Sequence, residues 1–291
     1  MRFRLILILG LVALSAGWAL TRPQPVSSDI FDGLTADAAN GAYVFAAAGC
    51  GSCHAAADGP ADLMTGGKEF QSDFGTFVAP NISSNPEHGI GGWTDLELAS
   101  AIMNGVGRDG AHLYPAFPYT AYAKATPQDI YDLIAHLRTL PAADTPSAPH
   151  QLGFPFNQRV ALGLWKALNA DDAWVLDTSD PQLERGRYLV EALGHCAECH
   201  TPRDALGGLQ RENWMAGAPN PSGEGRIPNI TPAELLWSEA DIIAYLQSGF
   251  TPAFDVAGGS MAAVIRNSSQ LTDDDRAAIA AYLKAIPPVA N

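Results

Sequence analysis

The sequence predicts an all-α fold in which one unit of helices and long loops is used twice. Three observations carry this. Landmarks recur in a single order, which is the mark of an internal repeat. Asn40-Gly41-Ala42-Tyr43 leads to Cys50-Gly51-Ser52-Cys53-His54, and Arg185-Gly186-Arg187-Tyr188 leads to Cys196-Ala197-Glu198-Cys199-His200. Pro80-Asn81-Ile82-Ser83 is answered by Pro228-Asn229-Ile230-Thr231, and Trp93-Thr94-Asp95 by Trp237-Ser238-Glu239. The second observation is helical periodicity near the end of each unit. Ile130, Leu133, Ile134 and Leu137 share a helical face, as do Ile279, Tyr282, Leu283 and Ile286. The third is that no run sustains the apolar–polar alternation of a strand.

Taken in order, the chain opens on Arg2 and Arg4 and an apolar run over 5–20 with small residues Ala16, Gly17 and Ala19. Residues 1–21 therefore read as an export signal or as an N-terminal membrane anchor. The first unit spans 35–141. Its opening helix is expected over 36–48, a second from Thr94 and a last from Thr126, each start being a side chain that can cap a helix. Pro141 stops the last. A linker, 142–180, is rich in Pro, Ala and Asp and carries a short amphipathic stretch, Asn157 to Leu168, expected to pack between or beneath the units. The second unit spans 181–288, with helices expected over 182–194, from Ser238 and from Thr272. Gly41 and Gly186 sit at matching places in the opening helices, where a glycine lets another helix approach closely.

With 291 residues, 31 acids and 17 bases, the chain can build real cores and carries a formal charge of −14. Such a surface excludes nucleic acid as a partner and suits a basic docking face on another protein. A disulfide framework is a poor fit for the four cysteines, because such frameworks belong to small domains with weak cores.

Both Cys-x-x-Cys pairs are followed at once by His, and Cys-x-x-Cys-His is the haem attachment sequence. Two thiols within a helical turn can reach the two vinyl groups of one haem, and the adjacent His falls under the iron. The rivals fit less well. Two zinc half-sites would sit in separate copies of a repeat, and a thioredoxin-type pair needs a βαβ pattern that is absent. The expected cofactors are two covalently bound haem c groups, held by Cys50, Cys53 and His54 and by Cys196, Cys199 and His200. His54 and His200 are the proximal metal ligands. Opposite them, Met261 is the candidate in the second unit, following Gly258-Gly259-Ser260 in the loop before the last helix, with Met215 the lesser candidate. In the first unit the matching zone, His112-Leu113-Tyr114-Pro115-Ala116-Phe117-Pro118, has no Met. His112, an open position behind Phe117, or Met64 or Met103 remain as alternatives. His136 is expected to pack between helices, His195 to border a haem edge, and His88 and His150 to lie in loops.

These residues resemble class I cytochromes c, and more closely the haem-c subunits of bacterial membrane-bound alcohol and gluconate dehydrogenases. The likeness covers nearly all of the chain after about residue 35, including Gly89-Ile90-Gly91-Gly92-Trp93, Leu113-Tyr114-Pro115-Ala116-Phe117-Pro118-Tyr119, Phe154-Pro155-Phe156-Asn157 with Trp165, and Gly258-Gly259-Ser260-Met261. It departs in two places. Those subunits carry three attachment motifs and this chain two, and Phe117 stands where their axial Met stands. The resemblance implies two tandem cytochrome c domains in a periplasmic protein, held at the inner membrane if residues 5–20 are retained. It further implies an electron carrier, not an enzyme, between a dehydrogenase and the respiratory chain. Its redox partners would be a dehydrogenase subunit, an oxidase or a soluble cytochrome. The alternative is a haem enzyme, peroxidase-like or acting on a small molecule, that uses an open axial site on the first haem.

Overall fold

Each unit is assembled from helices whose starts are marked by capping side chains. The computed structural model describes residues 4, 11, 15–221, 223 and 225–290. Most of the expected leader, 1–3, 5–10 and 12–14, lies outside the described residues; residues 15–21 are helical. In the first unit α1 (Ala38–Ala47) starts on the Asp37 carboxylate, which accepts from the Ala39 and Asn40 amides. α2 (Cys50–His54) follows Gly49, which is left-handed. A Thr94–Glu97 capping box opens α3 (Asp95–Asn104), satisfying two end amides at once. α4 (Tyr119–Tyr122) is a single turn, and α5 (Pro127–Leu137) starts on Thr126. The linker helix is α6 (Ala161–Asn169), slightly later than the expected stretch.

The second unit repeats the plan. Asp180 caps α7 (Pro181–Arg187), which runs on as a π-helical segment, Tyr188–Leu193. α8 (Ala197–His200) carries the second motif. α9 (Glu239–Ser248) opens on a Ser238–Asp241 capping box, α10 (Met261–Ser268) follows a loop, and α11 (Asp273–Ala285) starts on Thr272. The π segment has a cause in the sequence. The second unit holds one residue more between its Gly-x-Tyr and its Cys-x-x-Cys-His than the first. The helix absorbs it by widening one turn: Gly194 N–H reaches back to Leu189 O, whereas Ala48 N–H reaches Val44 O in an ordinary turn.

The paired glycines are contact points. A Cβ on Gly41 would lie 1.9 Å from the Asp132 carbonyl oxygen and 2.8 Å from His136 Cβ. A Cβ on Gly186 would lie 2.0 Å from the Ala278 oxygen and 2.8 Å from Tyr282 Cβ. The opening and closing helices of each unit thus cross at backbone contact, and His136 and Tyr282 hold matching packing positions. One cluster of buried apolar residues, including Val44, Leu98, Ile130, Ile134, Leu189, Ile242, Ile279 and Leu283, runs through both units.

The all-α expectation needs one correction. The fold is helix-rich but includes two small antiparallel sheets. β1 (Glu69–Ser72), β2 (Gly75–Val78) and β3 (Gln151–Leu152) form one, in the order β1-β2-β3, and β4 (Ala218–Pro219) pairs with β5 (Arg226–Ile227) in the other. Strands of two to four residues are too short to show alternation, and one of them contains proline. Each hairpin lies between a Cys-x-x-Cys-His helix and the following Pro-Asn-Ile loop.

The units meet through a near two-fold exchange. Tyr43 hydroxyl donates to Asp275 and accepts from the Thr272 amide at the start of α11. Tyr188 hydroxyl donates to Asp129 and accepts from the Thr126 amide at the start of α5. α10 rests on α1, and α4 on the π segment. No helix among the described residues is long and apolar enough to cross a membrane.

Candidate functional site

In each unit a carbonyl oxygen decides which imidazole nitrogen is free. His54 Nδ1 lies 2.8 Å from Pro80 O, and His200 Nδ1 lies 2.8 Å from Pro228 O. A carbonyl only accepts, so Nδ1 carries the proton and donates. Nε2 keeps its lone pair, which is the form an iron requires. Burial holds both imidazoles below the usual His range, although the proline carbonyls pull the other way, so both rings stay neutral.

The repeated Pro-Asn-Ile landmark now has a physical role. Asn81 Nδ2 donates to the carbonyls of Ala143 and Thr145 at 3.0 and 2.8 Å, and its Oδ1 accepts from Ser83 N–H. Asn229 Nδ2 donates to Val289 O at 2.7 Å, and its Oδ1 accepts from Thr231 N–H. Each Asn clamps the loop whose preceding Pro aims its carbonyl at the His. In the sequence these residues stand out only as landmarks. Their recurrence at matching places after each motif was the signal.

The four thiols are free. Burial pushes those of Cys50 and Cys196 up to about 12, with the neighbouring cysteine adding to the rise. A neutral thiol or a thioether is tolerated there; a thiolate is not. Among the described residues no group of three or more His, Cys, Asp or Glu is arranged to hold a metal ion, so neither pair reads as part of a zinc cage. Two thiols one turn apart, beside an imidazole with a free Nε2, are the donor set that haem c needs. Residues Cys50, Cys53 and His54, and Cys196, Cys199 and His200, would hold it.

The two motifs face each other across the interface. Burial raises the Cys199 thiol, and Glu198 and, from the other unit, Cys53 add to the rise. Asn267 Nδ2 of the second unit donates to Ser52 Oγ, inside the first motif, at 2.7 Å. His195 stands where the first unit has Gly49, and both are left-handed, at φ 38° and 66°. Its Nε2 lies 3.3 Å from Ala48 O and its ring packs edge-on against Tyr122. Beside it, the buried Glu191 on the π segment accepts from Lys124 Nζ at 3.2 Å, Tyr282 hydroxyl at 2.8 Å and Val175 N–H at 3.0 Å. The matching residues in the first unit, Phe45 and His136, make an aromatic contact instead.

The opposite faces differ. Val106 bridges His112 in the first unit, and Phe250 bridges Val256 in the second. Leu113 N–H bonds Gly105 O, and Ala257 N–H bonds Gly249 O. This common register sets Phe117 at the place of Met261, and His112 at the place of Val256. His112 Nε2 lies 2.9 Å from Thr21 O, and its Nδ1 is buried without a partner. Its Nε2 therefore donates to the N-terminal segment, and Nδ1 keeps its lone pair. Met64 and Met215 are a matched pair, their carbonyls accepting from Ile82 and Ile230 amides at 3.0 and 2.9 Å, both fully buried. Met103 is buried on α3. Among the other histidines, His150 Nδ1 accepts from Val78 N–H, and His88 lies 3.4 Å from Asp144.

Comparison with known proteins agrees with this geometry. The cytochrome c family profile matches twice, at residues 38–141 and 183–287. A dihaem cytochrome c-type protein of Cereibacter sphaeroides is 54% identical, the match covering 97% of each chain. The fructose dehydrogenase cytochrome subunit of Gluconobacter japonicus is 39% identical over 93% of this chain and 56% of that subunit. The cytochrome c subunit of a quinone-dependent alcohol dehydrogenase from Gluconacetobacter polyoxogenes is 34% identical over 95% of this chain and 60% of its own.

Proposed function

From the premise that the chain belongs to the cytochrome c family and carries its domain twice, we propose that it is an electron carrier holding one haem c in each domain. The reading rests on one observation, the repeated Nδ1-to-proline hydrogen bond beside a free thiol pair. When bound, haem supplies reversible one-electron chemistry. The protein's own contributions are attachment through Cys50, Cys53, Cys196 and Cys199, ligation through His54 and His200, and the exclusion of water. The near two-fold interface sets the two sites side by side for internal transfer.

In this reading Met261 would be the residue that, with His200, holds the iron of the second haem. His112 is left out of this set, because the shared register puts it at the place of Val256 and Phe117 at that of Met261. The first haem then has no protein ligand from the position of Phe117. That difference favours a second reading, in which a small molecule reaches the first iron and the protein is a haem enzyme.

The likeness to dehydrogenase subunits supports a dehydrogenase as electron donor and the respiratory chain as the sink. The apolar N-terminal run supports export to the periplasm, with residues 5–20 as signal or inner-membrane anchor. The deciding experiment pairs the reduced spectrum of the purified protein, with and without carbon monoxide, with its rates of electron exchange and of peroxide turnover. The carrier reading expects two thioether-bound haems and fast, reversible one-electron exchange. A protein that carries no bound haem overturns it, and peroxide turnover at the carbon-monoxide-reactive site favours the enzyme.

A further inference from the structure

The loop before Met261 differs from its first-domain counterpart in one respect, which is what lies on top of it. In the first domain the bridge residues of the loop 105–113 are roofed, while its tip, 108–110, is exposed. Val106 is 3% exposed and His112 4%. Residues of the N-terminal segment cover one side, through Thr21 O on His112 and Gln24 O on Asn104 Nδ2. α6 covers the other. Lys166 Nζ donates to the carbonyls of Asn104 and Gly105 at the end of α3, at 2.6 and 2.8 Å. Arg159 donates to His112 O at 2.6 Å and pairs with Asp109 at 3.0 Å. The roof is thus an amphipathic segment that sets cations on a helix C-terminus and on an acid in the loop, where they are favoured.

In the second domain the same loop is bare. Phe250 is 57% exposed and Val256 61%, side by side across the bridge, and Phe254 is 92% exposed at the tip. The turn is the same one. Gly110 N–H bonds Gly107 O, and Phe254 N–H bonds Thr251 O. Gly110 and Phe254 are both left-handed, at φ 72° and 63°. An aromatic residue in that region is strained, and this one also presents its ring to water. The loop again ends a helix, α9, and carries an exposed acid, Asp255, whose carboxylate accepts from Val256 N–H and enters no ion pair among the described residues. The patch leads within a few residues to Met261.

We propose that this loop is the docking surface for a redox protein whose contact face sets lysine or arginine side chains beside apolar ones, roofing the second domain as α6 roofs the first. The inference rests on the electron-carrier reading. The apolar centre supplies the close contact, and Asp255, the α9 C-terminus and the acidic surface supply orientation and encounter rate.

The test uses the full-length, haem-loaded protein and, as probe, a basic mitochondrial-type cytochrome c. Electron transfer to the probe is followed by stopped flow, with ferricyanide as a small oxidant that needs no docking face. Phe254→Gly relieves the strained turn, so it is expected to fold at least as stably as the parent. Combined with Val256→Ser, it is expected to slow transfer to the probe at least tenfold while changing ferricyanide oxidation less than twofold. Asp255→Lys is expected to slow the probe several-fold and flatten the dependence on salt. Phe154→Ser, which removes another exposed ring, from the linker, is expected to change neither rate. Unchanged transfer to the probe in the double variant overturns the proposal. So does light scattering that shows a dimer which Phe254→Gly dissociates, since the occupant is then a second copy. Failure of the parent to exchange electrons even with ferricyanide strikes the carrier reading instead, a result distinct from loss of docking.

Discussion

In the first domain the residues of the bridge before the helix pair lie under α6 and the N-terminal segment, and Phe117 ends the loop. In the second, the same bridge faces water and Met261 ends the loop. Yet beneath these faces the two His residues meet their proline carbonyls at the same 2.8 Å, and the two tyrosines, Tyr43 and Tyr188, cross the interface to matching helix starts. The comparison teaches that the attachment side of the site is held constant while the opposite side is free to vary. The attachment side is tied by backbone geometry, which tolerates little change. The other face is a loop, and what covers it is decided by the rest of the chain.

The largest expected effect is on the iron ligands. Met261→Ala is expected to abolish the long-wavelength iron–sulfur band of the oxidised protein, and Phe117→Met to add one for the first domain. A band that survives Met261→Ala breaks the ligand assignment. The proposed sixth-ligand difference is sharpened if Phe117→Met also removes carbon monoxide binding.

Next comes the polar cluster around Glu191, which joins the π segment and Tyr282 of the second domain to Lys124 of the first. Glu191→Ala leaves Lys124 buried without its partner, and such a change costs about 3–5 kcal/mol, measured by urea unfolding. Phe45→Ala, at the matching place, loses packing alone and is expected to show no pH dependence of its own.

Gly41→Ala and Gly186→Ala each drive a Cβ into a backbone oxygen. Each is expected to cost about 1–3 kcal/mol or more, and the two by similar amounts. A harmless Gly41→Ala beside a damaging Gly186→Ala would break the equivalence of the helix crossings.

The smallest effect is electrostatic. Burial lowers Lys166 from its ordinary value to about 8. The folded state then binds fewer protons than the unfolded between about pH 8 and the unfolded Lys value of about 10.4. Stability from this group therefore rises with pH across that window. Subtracting the stability of Lys166→Met from that of the parent should leave a positive slope there. A flat difference would show that the roof of the first domain is open to water.

Much of this was legible because the chain states it twice. The caps at Thr94, Thr126, Ser238 and Thr272 and the close approach at Gly41 and Gly186 followed from residue type and matched position. The sheets were not legible, because strands of two to four residues carry no periodicity. The π segment was visible only as an unexplained extra residue before Cys196. The surroundings of His112 were not legible for a physical reason. The bridge register aligns Phe117, not His112, with Met261, and the bond from His112 Nε2 to Thr21 O joins residues far apart in the chain. The roofing of one loop and not the other depends on contacts far apart in sequence, such as Lys166 with Asn104, which no local pattern announces.

The account stands most directly on the number of haems bonded to the chain. The intact mass of the protein, produced in cells that attach haem c and measured under denaturing conditions, is predicted to equal the mature polypeptide plus two haems, falling by one with Cys50→Ala/Cys53→Ala and by one with Cys196→Ala/Cys199→Ala. A mature mass with one haem or none would contradict it.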